Sequence, residues 1–301
     1  MILQRTACAK QSFANHKEYS RLYDVPYGVA SCYNALPIGG GSFTLSRVVL
    51  SRLAVRAKDS EHFLNALLPH AVATLCEYME QKVEFLVEKS QFFRLNFLVQ
   101  EGFLKLDRFT AMLGVVGMNE CVNLLMEKDG KEGRYGYSEE ADALAAKILE
   151  KLQECNAAFT SKYCDCTGHH FSLHAQVGID SDIGISPGVR IAIGDEPPLY
   201  DHLRECAKFH PYFTSGVGDI FPFDETAKRN PAAIVDIIKG SFAQGMRYFS
   251  TYCSDSDVIR ITGYLVKKSD IAKLDAGQAV PQANAFWGYG EVKNGKVYDR
   301  K

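Results

Sequence analysis

Neither sign of charge predominates in the 301-residue chain, where 34 Lys and Arg stand against 36 Asp and Glu for a net charge of −2. Without a basic field there is nothing to hold a nucleic-acid backbone or an anionic bilayer, so neither nucleic acid nor membrane is expected as a partner. No stretch approaches the roughly 20 consecutive apolar residues of a spanning helix. The opening residues Met1-Ile2-Leu3-Gln4-Arg5 run into polar sequence without the apolar core of a leader peptide. Internal repeats and low-complexity segments are also missing. Nine cysteines, at 8, 32, 76, 121, 155, 164, 166, 206 and 253, form no regular disulfide framework. Their odd number fits a reducing compartment, and a cytoplasmic location is expected.

What is present is the composition of a soluble globular protein, 47% hydrophobic and 23% charged, long enough for one large domain or two ordinary ones. Residues 1–30 are mixed, with aromatics at Phe13, Tyr19, Tyr23 and Tyr27, and offer no clear start for an independent domain. Ala30 to Gly41 joins a cysteine, a proline and a glycine triplet and predicts a loop. Ser42 to Val55 predicts a strand. Asp59-Ser60 predicts the cap of a helix whose apolar residues, from Phe63 through Leu68, Val72, Cys76 and Met79 to Val87, recur at helical spacing. Leu104 to Met126 predicts a second, buried helix, and Ser138 to Asn156 a third with an acidic first turn.

From Thr167 to Asp224 glycine and proline punctuate the chain, as in Thr214-Ser215-Gly216-Val217-Gly218-Asp219. Loops on a rigid frame commonly carry sites. Short helices are predicted at Leu199 to Ala207 and Pro231 to Gly245, then a strand from Arg247 to Tyr252. Ser269 is the predicted cap of a last helix, ahead of a tail containing Phe286-Trp287-Gly288-Tyr289-Gly290.

The most informative stretch is Val258-Ile259-Arg260-Ile261-Thr262-Gly263-Tyr264-Leu265-Val266-Lys267, a β-branched run broken by one glycine. A glycine weakens such a strand because it leaves nothing to pack. On local grounds it marks a bulge or a close backbone approach. Arg260-Ile261-Thr262-Gly263-Tyr264 also resembles the signature of the glycyl radical enzymes, whose glycine stores an unpaired electron on its α-carbon. Only a residue without a side chain lets that carbon flatten and delocalise freely into both amides. Such a radical demands a partner thiol.

Most of the cysteines fit apolar helical patterns and read as small core residues, as at Cys76 and Cys121. Cys164 and Cys166 are at best half of a zinc site, and no metal site is assigned. Cys32 differs, lying in a glycine- and proline-rich loop. Ser31-Cys32-Tyr33-Asn34-Ala35-Leu36-Pro37-Ile38-Gly39-Gly40 and Ile259 to Lys267 resemble the YjjI family of glycyl radical enzymes. So do Phe97 to Gly102, Gly178 to Asp182, Ile193 to Pro197 and Asp219 to Phe221, so that the likeness covers nearly the whole chain.

The resemblance implies a ten-stranded α/β barrel of the glycyl-radical-enzyme type, here incomplete on its N-terminal side. Residues 1–301 would form a single domain, with a cysteine loop at 30–42 and a glycyl radical loop at 257–268. It implies Cys32 and Gly263 as the catalytic residues and no permanently bound cofactor. The radical would be installed at Gly263 after translation by a radical S-adenosylmethionine activating enzyme, and the thiyl radical at Cys32 would attack a small-molecule substrate. A homodimer is left open. Because 31 residues precede Cys32 where family members carry a further segment, the chain is expected to be the carboxy-terminal part of a longer enzyme, one subunit of a split one, or a truncated non-catalytic homologue.

The subclass signatures are absent. The glutamate base that dehydratases of this superfamily carry two residues after the cysteine is Asn34 here, and an amide takes no proton. The adjacent cysteine pair of formate-lyase-type acyltransferases is replaced by Ser31 and Tyr33 around Cys32, and the four-cysteine zinc module of anaerobic ribonucleotide reductases is reduced to Cys253. Glu101, His174, Asp195, Glu196 and Asp219 are the loop groups able to supply a base, and none is assigned. A thiol oxidoreductase using Cys164 and Cys166 is the remaining reading.

Overall fold

The computed structural model describes residues 11–30, 33–176, 182, 184–255, 257–261 and 264–280. Strand β1 (Gln11–Ala14) leads through α1 (His16–Tyr19) to the hairpin of β2 (Tyr27–Ala30) and β3 (Asn34–Pro37), in register Ala30 with Asn34. Then β4 (Gly41–Val49) turns into α2 (Leu50–Arg56) and α3 (Ser60–His62). A long helical rod follows, in which π-helical turns Phe63–Leu67 and Phe85–Lys89 flank α4 (Leu68–Glu84). The short helices α5 (Phe92–Leu95) and α6 (Phe97–Gln100) lead to β5 (Phe109–Val116), α7 (Met118–Lys128), α8 (Glu139–Ala157) and β6 (Ser172–Ala175). The chain continues through α9 (Leu199–Phe209), β7 (Phe221–Phe223), α10 (Thr226–Arg229), α11 (Pro231–Ala243) and β8 (Tyr248–Cys253). A second hairpin, β9 (Val258–Ile261) with β10 (Tyr264–Lys267), precedes α12 (Lys268–Asp275).

The ladders among the described residues make four sheets, with β4-β5-β6 parallel, β1-β8-β7 mixed, and the two hairpins. The fold is α/β, and none of these sheets closes on itself. The single closed barrel of the expectation is therefore not drawn by the described ladders.

Four predicted elements are corrected. The predicted loop from Ala30 to Gly41 contains strand β3, paired with β2. The predicted helix over Leu104 to Met126 is instead the strand β5 followed by α7. All eight residues of β5 are buried, and a central parallel strand covered on both faces reads as a continuous apolar run that periodicity cannot tell from a buried helix. The strand predicted to Val55 ends at Val49, where α2 begins. Ser269 lies inside α12 and does not cap it. Asp257 fills that end instead, accepting hydrogen bonds from the Ser269 amide at 3.0 Å and from its hydroxyl.

Other predicted elements stand. Asp59 accepts from the His62 amide at 2.7 Å, and Leu68, Val72, Cys76, Met79 and Val83 form the buried stripe of α4. Ser138 caps α8 through the Ala141 amide. The tail at 286–290 lies outside the described residues.

The parallel sheet has two unlike faces, as the alternation of side chains along each strand requires. Ala111, Leu113 and Val115 of β5, with Val48, Leu173 and Ala175 in the flanking strands, join the main apolar core together with α4, α7 and α8. On the opposite face, the paired register Arg47–Gly114–His174 puts two polar side chains either side of a glycine. That polar face is the one turned toward the cysteine hairpin.

Candidate active site

Cys32 and Gly263 both lie outside the described residues. Their flanks are described, and they are unlike one another. Beside Gly263, β9 and β10 pair antiparallel with Ile261 opposite Tyr264, so the predicted glycine motif falls between two paired strands. Beside Cys32, Tyr33 is 1% exposed. Hairpin ends are normally wet, but here Tyr33, Asn34 and Ala35 are buried while Val29 and Ile38 are exposed.

The Tyr33 ring stacks on His174 of β6 at 5.3 Å and lies 5.1 Å from Tyr248 of β8, so it touches both three-stranded sheets. Its hydroxyl donates to the Ala175 carbonyl. The Tyr19 hydroxyl donates to the Ser215 carbonyl at 2.9 Å and, more weakly, to that of Tyr33 at 3.4 Å. Ala35 donates its amide to Ser215 Oγ at 3.0 Å, and Tyr23 donates its hydroxyl to the Ala35 carbonyl at 2.9 Å.

His174 is 4% exposed and packed under the Tyr33 ring. Burial alone lowers its pKa to about 4, so the imidazole is neutral at physiological pH and resists protonation.

Behind the Ser215–Asp219 loop lies a buried charged cluster. His202 Nε2 donates to Asp219 Oδ2 at 2.8 Å, and the Arg190 guanidinium is 3.8 Å from Oδ1, with all three side chains nearly inaccessible. Burial alone would raise the Asp219 carboxyl, but the adjacent His202 and Arg190 outweigh it and the net shift is downward. Arg190 also donates to the Gly218 carbonyl. Next to it, His210 Nδ1 accepts the amides of Val217 at 3.2 Å and Arg247 at 3.0 Å, so the ring proton is on Nε2, 3.6 Å from Cys206 Sγ. Burial, and secondarily Arg247, lowers the His210 pKa to about 3.

Of the other groups singled out from sequence, Glu101 and Asp195 are exposed, and Glu196 accepts from the Gly194 amide at 2.7 Å. Cys164 is buried and Cys166 half-buried, and burial pushes their thiols up to about 11 and about 12. Among the described residues no three His, Cys, Asp or Glu side chains are grouped to hold a metal, and no helix is long and apolar enough to cross a membrane. Sequence reasoning missed Tyr33, Arg190, His202 and Ser215. Adjacency to Cys32 was the available signal for the first, whereas the others are joined only by the fold.

An anaerobic ribonucleotide reductase of Thermotoga maritima with glycerol in its active site aligns with 84% of this chain and 47% of its own, at a TM-score of 0.61 and 18% identity. That likeness defines the class of fold, an α/β fold shared with that reductase. At the level of sequence, the family described as "Glycyl radical enzyme YjjI-like" matches residues 2–301. An uncharacterised protein of Haemophilus influenzae is 41% identical over 296 residues, which is 97% of this chain and 58% of that protein. The uncharacterised protein YjjI of Escherichia coli is 39% identical over 296 residues, covering 98% and 57%. The chain belongs to the YjjI-like family of glycyl radical enzymes. It spans somewhat under three-fifths of the length of these relatives.

Proposed function

We propose that this chain is the catalytic part of an oxygen-sensitive glycyl radical enzyme, a single domain in which Gly263 stores the radical and Cys32 uses it. The observation that carries the reading is family membership across residues 2–301, a span that contains both motifs. A radical S-adenosylmethionine activating enzyme removes one hydrogen atom from Gly263. In turnover the Gly263 α-carbon radical takes the hydrogen atom of the Cys32 thiol, and the resulting thiyl radical takes one from a C–H bond of a small substrate. Reversal of these transfers restores the glycyl radical, so no external oxidant or reductant is consumed. The protein's task is to exclude water and oxygen and to hold the C–H bond against the sulfur.

Asn34 cannot serve as the base.

The test is electron paramagnetic resonance after anaerobic activation with a radical S-adenosylmethionine partner. Wild type gives a doublet, Gly263→Ala gives none, and Cys32→Ala keeps the doublet while losing all release of deuterium from substrate C–H positions. A competent partner that generates no backbone radical refutes the reading. The share of the relatives that the chain covers, and the open sheets, favour a second reading in which it works as one part of a divided or longer enzyme. Size-exclusion chromatography with and without the complementary segment separates the two: a stable complex that alone accepts activation supports the divided form.

A further inference from the structure

The loop Ser215-Gly216-Val217-Gly218-Asp219 is fixed far more tightly than a connection of its length requires. Ser215 accepts through its side chain from Ala35 and through its carbonyl from Tyr19. Gly216 sits at φ +77°, where a β-carbon would also run into His210 Nδ1. Val217 donates its amide to the same nitrogen. The Gly218 carbonyl is held by Arg190, and Asp219 by His202. Against this loop lies the ring of Tyr33, so close to Gly218 that any β-carbon there would overlap it. The buried charges thus hold this piece of backbone in place, and the side chain next to Cys32 is pressed onto it.

We propose that this loop is a seat for the cysteine hairpin, and that Tyr33 is the positioning residue through which it fixes the Cys32 thiol. The inference rests on the reading of Cys32 as the hydrogen-abstracting residue. Tyr33 touches His174 of one sheet, Tyr248 of the other, and Gly218 between them. One ring, on the residue that follows Cys32 in sequence, therefore contacts both three-stranded sheets. These contacts matter because hydrogen transfer needs reacting atoms about 3–3.5 Å apart, and a misplacement of about 1 Å costs on the order of a hundredfold in rate.

The seat is testable without the radical. In the resting full chain, the rate at which iodoacetamide alkylates Cys32, followed by peptide mass spectrometry, reports how often the hairpin leaves its seat, with Cys155 on α8 as the internal reference. Tyr33→Leu deletes two aromatic contacts and a hydrogen bond, and should raise labelling of Cys32 about a hundredfold. Gly218→Ala should do at least as much through the overlap. Tyr33→Phe, which keeps the ring, and Ser215→Ala, which deletes one hydroxyl, should each stay within about fivefold of wild type while exceeding it.

Wild-type labelling of Cys32 in Tyr33→Leu and Ser215→Ala, with Cys155 unchanged, overturns the proposal. If Tyr33→Leu or Gly218→Ala unfolds, Cys155 accelerates as well, and the mild Ser215→Ala then decides. The reading of Cys32 as a radical carrier fails separately, when activated wild type shows a doublet whose chemistry is indifferent to Cys32→Ala.

Discussion

Two imidazoles are buried in their neutral form, His174 beneath Tyr33 and His210 beneath the Ser215–Asp219 loop, with pKa values of about 4 and about 3 against an ordinary 6.5. Lowering the pH is therefore a perturbation aimed at the site and its support. Well above pH 6.5 both rings are neutral whether the chain is folded or not, and their contribution to stability is complete. As the pH falls below 6.5 the unfolded chain binds two protons that the folded chain refuses, so stability drops. The loss ends only at the folded pKa values. Each proton corresponds to about 1.4 kcal/mol per pH unit once the unfolded ring is charged, and since that ring is only half charged at pH 6.5, the two remove about 3 kcal/mol between pH 6.5 and 5. That is a large fraction of the stability of an ordinary domain.

The assay is urea unfolding at stepped pH and constant ionic strength, with an unchanged slope against denaturant confirming the same transition. His174→Phe keeps a ring against Tyr33 but carries no titrating proton, and should halve the pH dependence, leaving about 1.5 kcal/mol of loss over the same range. A wild-type loss under about 1 kcal/mol between pH 6.5 and 5, or a His174→Phe variant with the full wild-type dependence, refutes the argument from burial.

Asp219→Ala leaves the Arg190 charge buried beside an uncompensated cavity and should cost about 3–5 kcal/mol in urea unfolding, whereas Asp219→Asn, which keeps a hydrogen-bond acceptor for His202, should cost less. Cys164 and Cys166 should remain protonated at pH 7, so Cys166 should alkylate slowly there and accelerate as the pH is raised toward 10, and the double serine variant should leave the yield of the glycyl radical unchanged. Fast labelling at pH 7 would revive the oxidoreductase alternative. Asp59→Ala should destabilise by about 1 kcal/mol through loss of the helix cap at His62, measured by thermal or urea unfolding.

Local chemistry was legible where it is decided locally. Asp59 and Ser138 announced their helices because a cap needs only a carboxylate or hydroxyl beside a few free amides. The Cys32 and Gly263 stretches could be singled out only through resemblance, since nothing in periodicity distinguishes Gly263 from a bulge. Strand β5 was misread because burial on both faces erases alternation, and that burial depends on β4 and β6, which lie far away in the chain. Thr214 to Asp219 was recognisable as a loop, but its task was not. The partners that hold it, Tyr33, Arg190, and His202 with His210 at the two ends of α9, come from three separate segments, and only the folded chain brings them together. Tyr33 itself could have been suspected from its place beside Cys32.

The most direct test of the central claim is the fate of the doublet in heavy water. The splitting arises from the hydrogen remaining on the radical carbon, and exchange of hydrogen atoms with a solvent-exchanging thiol replaces it by deuterium. Activated wild type transferred anaerobically to D2O should see its doublet collapse toward a singlet, with no substrate added, while Cys32→Ala should hold its doublet indefinitely. Equal collapse in both proteins, or a wild-type doublet that never collapses, would contradict the passage of a hydrogen atom between Gly263 and Cys32.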